Sequence, residues 1–504
     1  MKKNKCRHAA TVFGLVLLSG CAGQSAPESS AARKVAGESA SKPHILFISS
    51  DDLLPALGAY GAEQVHSPNM DRLAGEGLLF ERAYTQAAIC HVSRASLMSG
   101  YYPMKNRMYQ RKAMFEHVPD VVSLNQHFMN NGYETVNVGK IYHHPSDDNQ
   151  GWTRDFRNLN RPWSRDYLTE ASLELGNRSE ASRGPAYESA EVDDSAYMTG
   201  GYADKAIEEL RNLGDQPTFI GLGFRKPHLP FNAPQKYWDL YDPDAIELSD
   251  YPAPPENSAE AGYVNWGELR KYHGIPKEGP LSDELSRQLI HGYYACVSYV
   301  DAQVGRVLDE IDRLGLRDDV IVVLWGDHGW KLGDYGMWCK HTNYEIDARV
   351  PLIVRAPGQQ AVDVKTDALV ELVDLYPTLC DLAGIEKPSH LQGKSFMPLL
   401  NDADQPWKDA AFTLWTGDAL TWEDETIGYS VRSGADRYTE WRDTETDALV
   451  AHELYDHSEG PLASVNVVDR PENEVRVAEL SALLADWRRE YGSGGHGKDV
   501  GGIE

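Results

Sequence analysis

The sequence predicts an α/β protein, a large domain with a mostly parallel central sheet flanked by helices, plus a small C-terminal subdomain with an antiparallel sheet and a helix. Three observations predict it. From His44 onward, short β-branched apolar runs alternate with helical periods. Four of those runs end in acidic, basic or imidazole residues, and after about Asn401 the pattern changes to short alternating segments.

The elements follow in chain order. Lys2, Lys3, Lys5 and Arg7 precede an apolar run, Ala9 to Leu18, that is far shorter than the roughly 20 residues of a membrane span. Residues 1–20 therefore read as a signal peptide. Its end, Leu18-Ser-Gly-Cys21, looks like a bacterial lipobox, so the expectation is an exported lipoprotein, facing the periplasm or on the cell surface and held to the membrane by a lipid on Cys21. Residues 21–43, rich in Ala, Ser, Gly and Glu, read as a flexible tether.

Residues 44–400 read as the catalytic domain. Ile45–Ser49 leads into Asp51-Asp52, Thr135–Gly139 into Lys140, Phe219–Leu222 toward His228, and Val320–Leu324 into Asp327-His328. Open α/β sheets bind ligands beyond the carboxyl ends of their strands, so these positions are expected to share one cleft. Ser67, before Pro68, and Ser123 are expected helix caps. The longest helix is expected from about Ser282 to Leu314, with Leu289, Tyr293, Cys296, Val300 and Val304 at helical spacing, which buries Cys296. Cys380, between Leu379 and Leu382, reads as a core cysteine too. Residues 145–200 are polar and weakly periodic, and are expected to form long loops over the cleft. Residues 401–491 read as the subdomain, with a helix from about Glu472 to Tyr491, and 492–504 as a disordered tail.

With 49 Lys+Arg against 76 Asp+Glu, the net charge is −27. That excludes a nucleic-acid partner, whose binding draws on clustered positive charge. Six cysteines without a C-x-x-C indicate neither a disulfide framework nor a zinc site.

Adjacent residues of a strand face opposite sides, so Asp51 and Asp52 must lie just past its end to act together. Joined by Asp327, they would make an oxygen-rich site suited to Ca²⁺ or Mg²⁺. Alone, such a pair is usually a capping or solvated turn.

The segment Ile89-Cys-His-Val-Ser-Arg-Ala-Ser-Leu-Met-Ser-Gly100 resembles the sulfatase signature C-x-P-S-R-x-x-x-[LM]-[ST]-G, whose cysteine is converted to formylglycine by a maturing enzyme. Further stretches resemble the same family, and its iduronate-2-sulfatase branch most: Ser50–Gly61, Ser67–Asp71, Val138–His143, Lys226–Phe231, and Gly326–Gly333 continuing to Trp338–Lys340. The resemblance implies an alkaline-phosphatase-like large domain and hydrolysis of sulfate esters on a carbohydrate, a 2-O-sulfated uronic acid among the candidates. It implies that Asp51, Asp52, Asp327 and His328 hold Ca²⁺ with the modified Cys90, and that Arg94 steadies the formylglycine hydrate. Lys140 and Lys340 would hold sulfate oxygens, His143 would help break down the sulfated intermediate, and His228 would protonate the leaving sugar oxygen.

Two positions depart from the pattern. Val92 stands where most sulfatases have proline, and His328 where many have asparagine. Imidazole suits Mn²⁺ or Zn²⁺ better than Ca²⁺, and related phosphonate and phosphodiester hydrolases share that histidine. Such a hydrolase is the second reading. A glycan-binding lipoprotein with Cys90 unconverted is the third. The basic cluster Lys105, Arg107, Arg111 and Lys112 is expected, with residues 145–200, to select the sugar.

Overall fold

Eight strands form the central sheet. The structure is a computed structural model that describes residues 42–110, 112–147, 150–159, 166–177, 183–416 and 425–492. The expected signal peptide, Cys21 and nearly all of the tether, with Arg111 and residues 493–504, lie outside the described residues. In chain order the strands are β1 (His44–Asp51), β2 (Leu78–Phe80), β3 (Glu134–Gly139), β4 (Arg154–Phe156), β5 (Thr218–Pro227), β6 (Val320–Gly326), β7 (Leu352–Arg355) and β8 (Val364–Thr366). Across the sheet they run β8-β2-β7-β6-β1-β5-β3-β4. β1 pairs in parallel with β5 and β6, with Ile45 opposite both Phe219 and Ile321. β7 runs antiparallel between β6 and β2.

Both faces are covered, which is why the strands read as unbroken apolar runs. Ile45, Phe47, Phe219, Ile321, Val323 and Trp325 enter one core cluster, while Leu46, Ile48, Ile220, Leu222, Val322 and Leu324 enter the other. Helices α1 (Pro68–Glu76), α4 (Met198–Arg211) and α5 (Asp283–Arg313) pack on the second face; α2 (Cys90–Ser99) and α3 (Leu124–Asn130) pack on the first. Cys296 and Cys380 are buried, as read.

The caps differ in part from expectation. Ser282 starts α5, its hydroxyl accepting from the Leu285 amide at 3.2 Å, and the Ser123 amide donates to Gln126 at 3.1 Å before α3. Ser67 does not cap α1 with its side chain. Its hydroxyl accepts from Gly58 and donates to Asp71, while Asp301 on α5 takes the amides of Asn69 and Met70 at 3.0 and 2.7 Å.

The described residues between 145 and 200 are more regular than the expected loops. They contain the edge strand β4, a helix over Glu170–Asn177, and a strand over Tyr187–Ala190 that pairs in parallel with Phe231–Pro234. β4 reads Arg-Asp-Phe and carries no apolar alternation; side chains dock it instead, Asn137 donating to Asp155 at 2.8 Å.

Strands β9 (Ala411–Thr416), β10 (Thr426–Ser433), β11 (Asp436–Asp443) and β12 (Leu449–Asp456) form an antiparallel sheet in that order, followed by α6 (Glu474–Tyr491). Trp415, Trp441, Leu480, Leu484 and Trp487 close one hydrophobic cluster with Ile89, Val92 and Tyr102. Val92, the departure from the signature, is thus buried against the C-terminal elements.

Candidate active site

The carboxyl ends of β1, β3 and β5 open on one cleft of about 940 Å³; the end of β6 does not line it, and the fully buried Asp327 and His328 that follow it join the site through Arg94, Asp52 and Cys90. At the end of β1 the pairing register breaks between Ser50 and Asp51, and Asp52 adopts φ 64°. Asp51 is therefore the last residue of the strand rather than one past it, and the bulge with the left-handed turn, not the strand's end alone, lets both carboxylates converge. β3 ends at Gly139, φ 83°, where a Cβ would stand 2.1 Å from the Gly223 carbonyl. Only glycine allows that approach. The Lys140 amide then donates to Gly223 at 2.7 Å, and Nζ of Lys140 reaches Asp51 at 2.5 Å.

Helix α2 begins at Cys90, which puts Cys90, Ser93 and Arg94 on one face. Ser93 donates to the Asp327 carbonyl at 2.5 Å. The guanidinium of Arg94, fully buried, donates to Asp327 at 2.8 Å, to Asp51 at 3.3 Å, and to the carbonyls of Lys140 and Ile141 at 2.6 and 2.9 Å. Asp327 in turn accepts from the amides of Asp52 and His328 at 3.0 and 3.1 Å. One arginine thus links three strand ends.

Lys340 lies between two non-glycine residues of positive φ, Cys339 (68°) and His341 (84°). Such backbone costs about 1–3 kcal/mol per residue and is spent here on aim: Nζ of Lys340 sits 2.9 Å from Asp52 and 3.0 Å from Glu268. His228 turns Nδ1 to the Leu229 carbonyl at 2.6 Å and Nε2 to Glu268 at 3.2 Å and Asp52 at 3.9 Å. His328 Nε2 is 3.2 Å from both Cys90 Sγ and Asp52.

Of the catalytic and metal-holding candidates read from the sequence, His143 alone stays outside this contact network. It lines the same cleft but packs its ring against His91 and His144, with centroids 5.9 and 4.7 Å apart. Burial, then Lys140 and the two neighbouring histidines, hold His143 well below its ordinary pKa, so the ring is neutral.

Burial pushes the Asp51 carboxyl up, but Lys140, His228 and Arg94 together hold it well below the usual range. For Asp52 burial wins, and its pKa is raised against the pull of His228, Lys340 and His328. Burial and then the Asp51 charge push the Cys90 thiol well above its ordinary value. As a thiol, Cys90 is a poor nucleophile here.

Ligand atoms of Asp51, Asp52, Cys90 and His228 lie within 4.8 Å of one another, as do those of Cys90, Asp327 and His328. The two groups share Cys90. Oxygen donors joined by an imidazole fit a divalent cation, and buried carboxylates this close gain from one.

Sequence reasoning missed Glu268, which sits in a loop with no motif around it. It also misplaced the basic wall. Lys105, Arg107 and Lys112 do not line the cleft. Arg157, Arg183, Arg225 and Lys271 line it instead. Arg225 had a signal, since it immediately precedes the Lys226–Phe231 motif.

The model of the family named Sulfatase matches residues 43–385, and that named N-sulphoglucosamine sulphohydrolase, C-terminal, matches 333–490. Human iduronate 2-sulfatase is 30% identical, over 88% of this chain and 93% of its own. A solved structure in complex with its substrate D-glucosamine-2-N,6-O-disulfate superposes with TM-score 0.72 at 22% identity, covering 89% of this chain and 98% of that one. A phosphonate monoester hydrolase from Silicibacter pomeroyi shares the fold, with TM-score 0.73 at 24% identity over 89% of this chain and 96% of its own. With the family model spanning the strands, the Cys90 helix and the Asp327 turn, the chain belongs to the sulfatase family and is a sulfuric ester hydrolase.

Proposed function

We propose that the protein hydrolyses sulfate esters of a sulfated carbohydrate, with Cys90 converted to formylglycine by a maturing enzyme. The observation that carries this reading is the placement of Cys90 Sγ, 3.2 Å from His328 and 3.8 Å from Asp52, in a cleft that Lys140 and Lys340 both enter. The raised thiol pKa argues in the same direction, because the unmodified side chain stays protonated.

When bound, a divalent cation on Asp51, Asp52, Asp327 and His328, Ca²⁺ by family and Mg²⁺ or Mn²⁺ by donor type, supplies positive charge at the sulfate oxygens, and the hydrated aldehyde supplies the nucleophilic oxygen. Lys140 and Lys340 hold the remaining sulfate oxygens where charge grows in the transition state. His228 lines the cleft with Nε2 turned to Glu268, which places it to give a proton to the leaving sugar oxygen. Glu268 orients it. His143, neutral, can accept a proton as the enzyme is regenerated. Arg94 fixes the strand ends against one another.

A carbohydrate anion suits the cleft, which seven lysine and arginine side chains line against four carboxylates, although the chain as a whole carries −27. The relatives support the same class, since one is an iduronate 2-sulfatase and one solved structure holds a glucosamine disulfate. Export and anchoring through a lipid on Cys21 complete the reading.

The test is to co-express the chain with a formylglycine-generating enzyme, then measure the mass of the Cys90 peptide and sulfate release from sulfated oligosaccharides, beside an aryl phosphodiester. The expected result is the aldehyde mass and sulfate release that disappears in Cys90→Ala while the fold persists. Sulfate release by Cys90→Ala, or faster phosphodiester than sulfate turnover, overturns it.

A further inference from the structure

We propose that His341 binds a hydroxyl of the sugar whose sulfate ester lies at Cys90, and so takes part in choosing that sugar. This rests on the sulfatase reading above and adds to it a residue that selects the substrate.

His341 follows Lys340 directly and lines the cleft, half-buried. Its ring stacks on the indole of Trp415 in β9, with centroids 5.2 Å apart and planes inclined by 25°. Trp415 is buried, so the stack fixes the plane of the imidazole against a rigid support. The chain on either side is held as well. Lys340 reaches Asp52 and Glu268, the Thr342 hydroxyl donates to Asp347, and Asn343 donates to the Gly428 carbonyl of β10 at 2.9 Å. With φ at 84°, His341 itself adopts the left-handed backbone that non-glycine residues avoid.

None of these contacts uses the imidazole nitrogens. Among the described residues no hydrogen-bond partner meets either nitrogen of His341, whereas His228 and His328 both have theirs. Packing on Trp415 alone would be met by phenylalanine or leucine, with no polar edge left to satisfy. The free edge of the ring is therefore available to a ligand.

Burial, and then the Lys340 charge, hold His341 well below its ordinary pKa against the pull of Glu268, so the ring is neutral. A neutral imidazole donates from one nitrogen and accepts at the other, and a sugar hydroxyl likewise does both, whereas a sulfate or an ionised carboxylate only accepts. The charge of Glu268 disfavours a second anion here. That same carboxylate lies 3.2 Å from His228. His341 thus stands on the side of the cleft that carries the proposed proton donor, where the leaving sugar lies.

The experiment measures the matured enzyme and its His341→Phe variant on methyl glycosides of a 2-O-sulfated uronic acid and a 6-O-sulfated hexosamine, and on the monodeoxy analogues of whichever is turned over faster. Phenylalanine keeps a ring to stack on Trp415 and removes both nitrogens. Expected is a loss of about tenfold in wild-type kcat/KM on one monodeoxy analogue, the worth of one buried hydrogen bond. His341→Phe should lose as much on the parent glycoside and nothing further on that analogue, so that the two losses are one interaction. Wild-type turnover indifferent to every hydroxyl, or a variant whose loss is the same on the parent and on all analogues, overturns the site. If His341→Phe does not fold, His341→Leu takes its place in the same comparison. If no glycoside releases sulfate, the reaction assignment fails instead. The hydroxyl site is then still tested by calorimetric titration of the Cys90→Ala chain and its His341→Phe derivative with the unsulfated glycosides, where equal affinity refutes it.

Discussion

One carboxylate oxygen of Glu268 lies 3.2 Å from Nε2 of His228, and the other lies 3.0 Å from Nζ of Lys340. A loop acid so placed orients at once the histidine proposed to give the proton and one of the lysines proposed to hold the sulfate. Burial opposes its charge, but Lys340 and His228 hold the carboxyl well below the usual range. Glu268→Gln keeps the shape and removes the charge. It should lower kcat on sugar sulfates by about 10- to 100-fold, within the range of general-acid contributions. 4-Nitrophenyl sulfate, whose leaving group needs little protonation, should suffer much less. Equal losses on both substrates would count against the positioning role.

Arg94→Lys tests the link between strand ends. A lysine cannot reproduce the fork that donates to Asp327, Asp51 and two carbonyls. Leaving buried carboxylates short of a partner costs about 3–5 kcal/mol, so denaturant unfolding should show a loss of that size alongside loss of turnover. A variant of unchanged stability would mean that the carboxylates are neutralised by other means.

Removing the metal gives an independent measure. Dialysis against a chelator should abolish turnover and lower the unfolding midpoint, since a cation present at about 100 times its Kd stabilises the native state by about 2.7 kcal/mol. Restoration by Ca²⁺, Mg²⁺ or Mn²⁺ in turn identifies the ion. A midpoint indifferent to every cation would sink the metal assignment to Asp51, Asp52, Asp327 and His328.

Asp301 supplies a pH signature far from the chemistry. Burial raises its pKa from 3.8 to about 6 despite the amides of Met70 and Asn69 that it accepts. A raised carboxyl pKa means a contribution to stability that is fully present below about pH 4 and lost as pH rises through 6. Its size is about two pKa units, or about 3 kcal/mol. Asp301→Asn should remove that dependence, so the stability difference between variant and wild type moves in the variant's favour from pH 4 to 7.5. A constant difference would show that the α1 amides keep the carboxylate ionised.

Much of this architecture is legible in the chain because a parallel sheet buried on both faces writes its strands as apolar runs, and because Cys90 and Arg94 sit in a contiguous motif. Asp51, Lys140, His228 and Asp327 are legible for the same reason, each following such a run. Distance in sequence hides the rest. Asp301 replaces the expected Ser67 cap from 232 residues away, and Glu268 meets His228 and Lys340 only in three dimensions. Charge clusters carry no direction, so Lys105 and Arg107 look as suited to the cleft as Arg157 and Arg225 do. Only the packing of their segments in three dimensions separates them.

The cluster that joins Ile89, Val92 and Tyr102 to Trp415, Trp441, Leu484 and Trp487 also sets a clock. Cys90, 3% exposed, opens a helix whose ten residues are all buried. The walls around it are completed by residues that leave the ribosome more than 300 positions later. Another protein's active site can grip this segment only while those aromatic residues are still unmade or undocked. Whatever chemistry is done to Cys90 by a second enzyme belongs to the interval before the C-terminal strands close, and a thiol left unconverted then stays so for the life of the molecule.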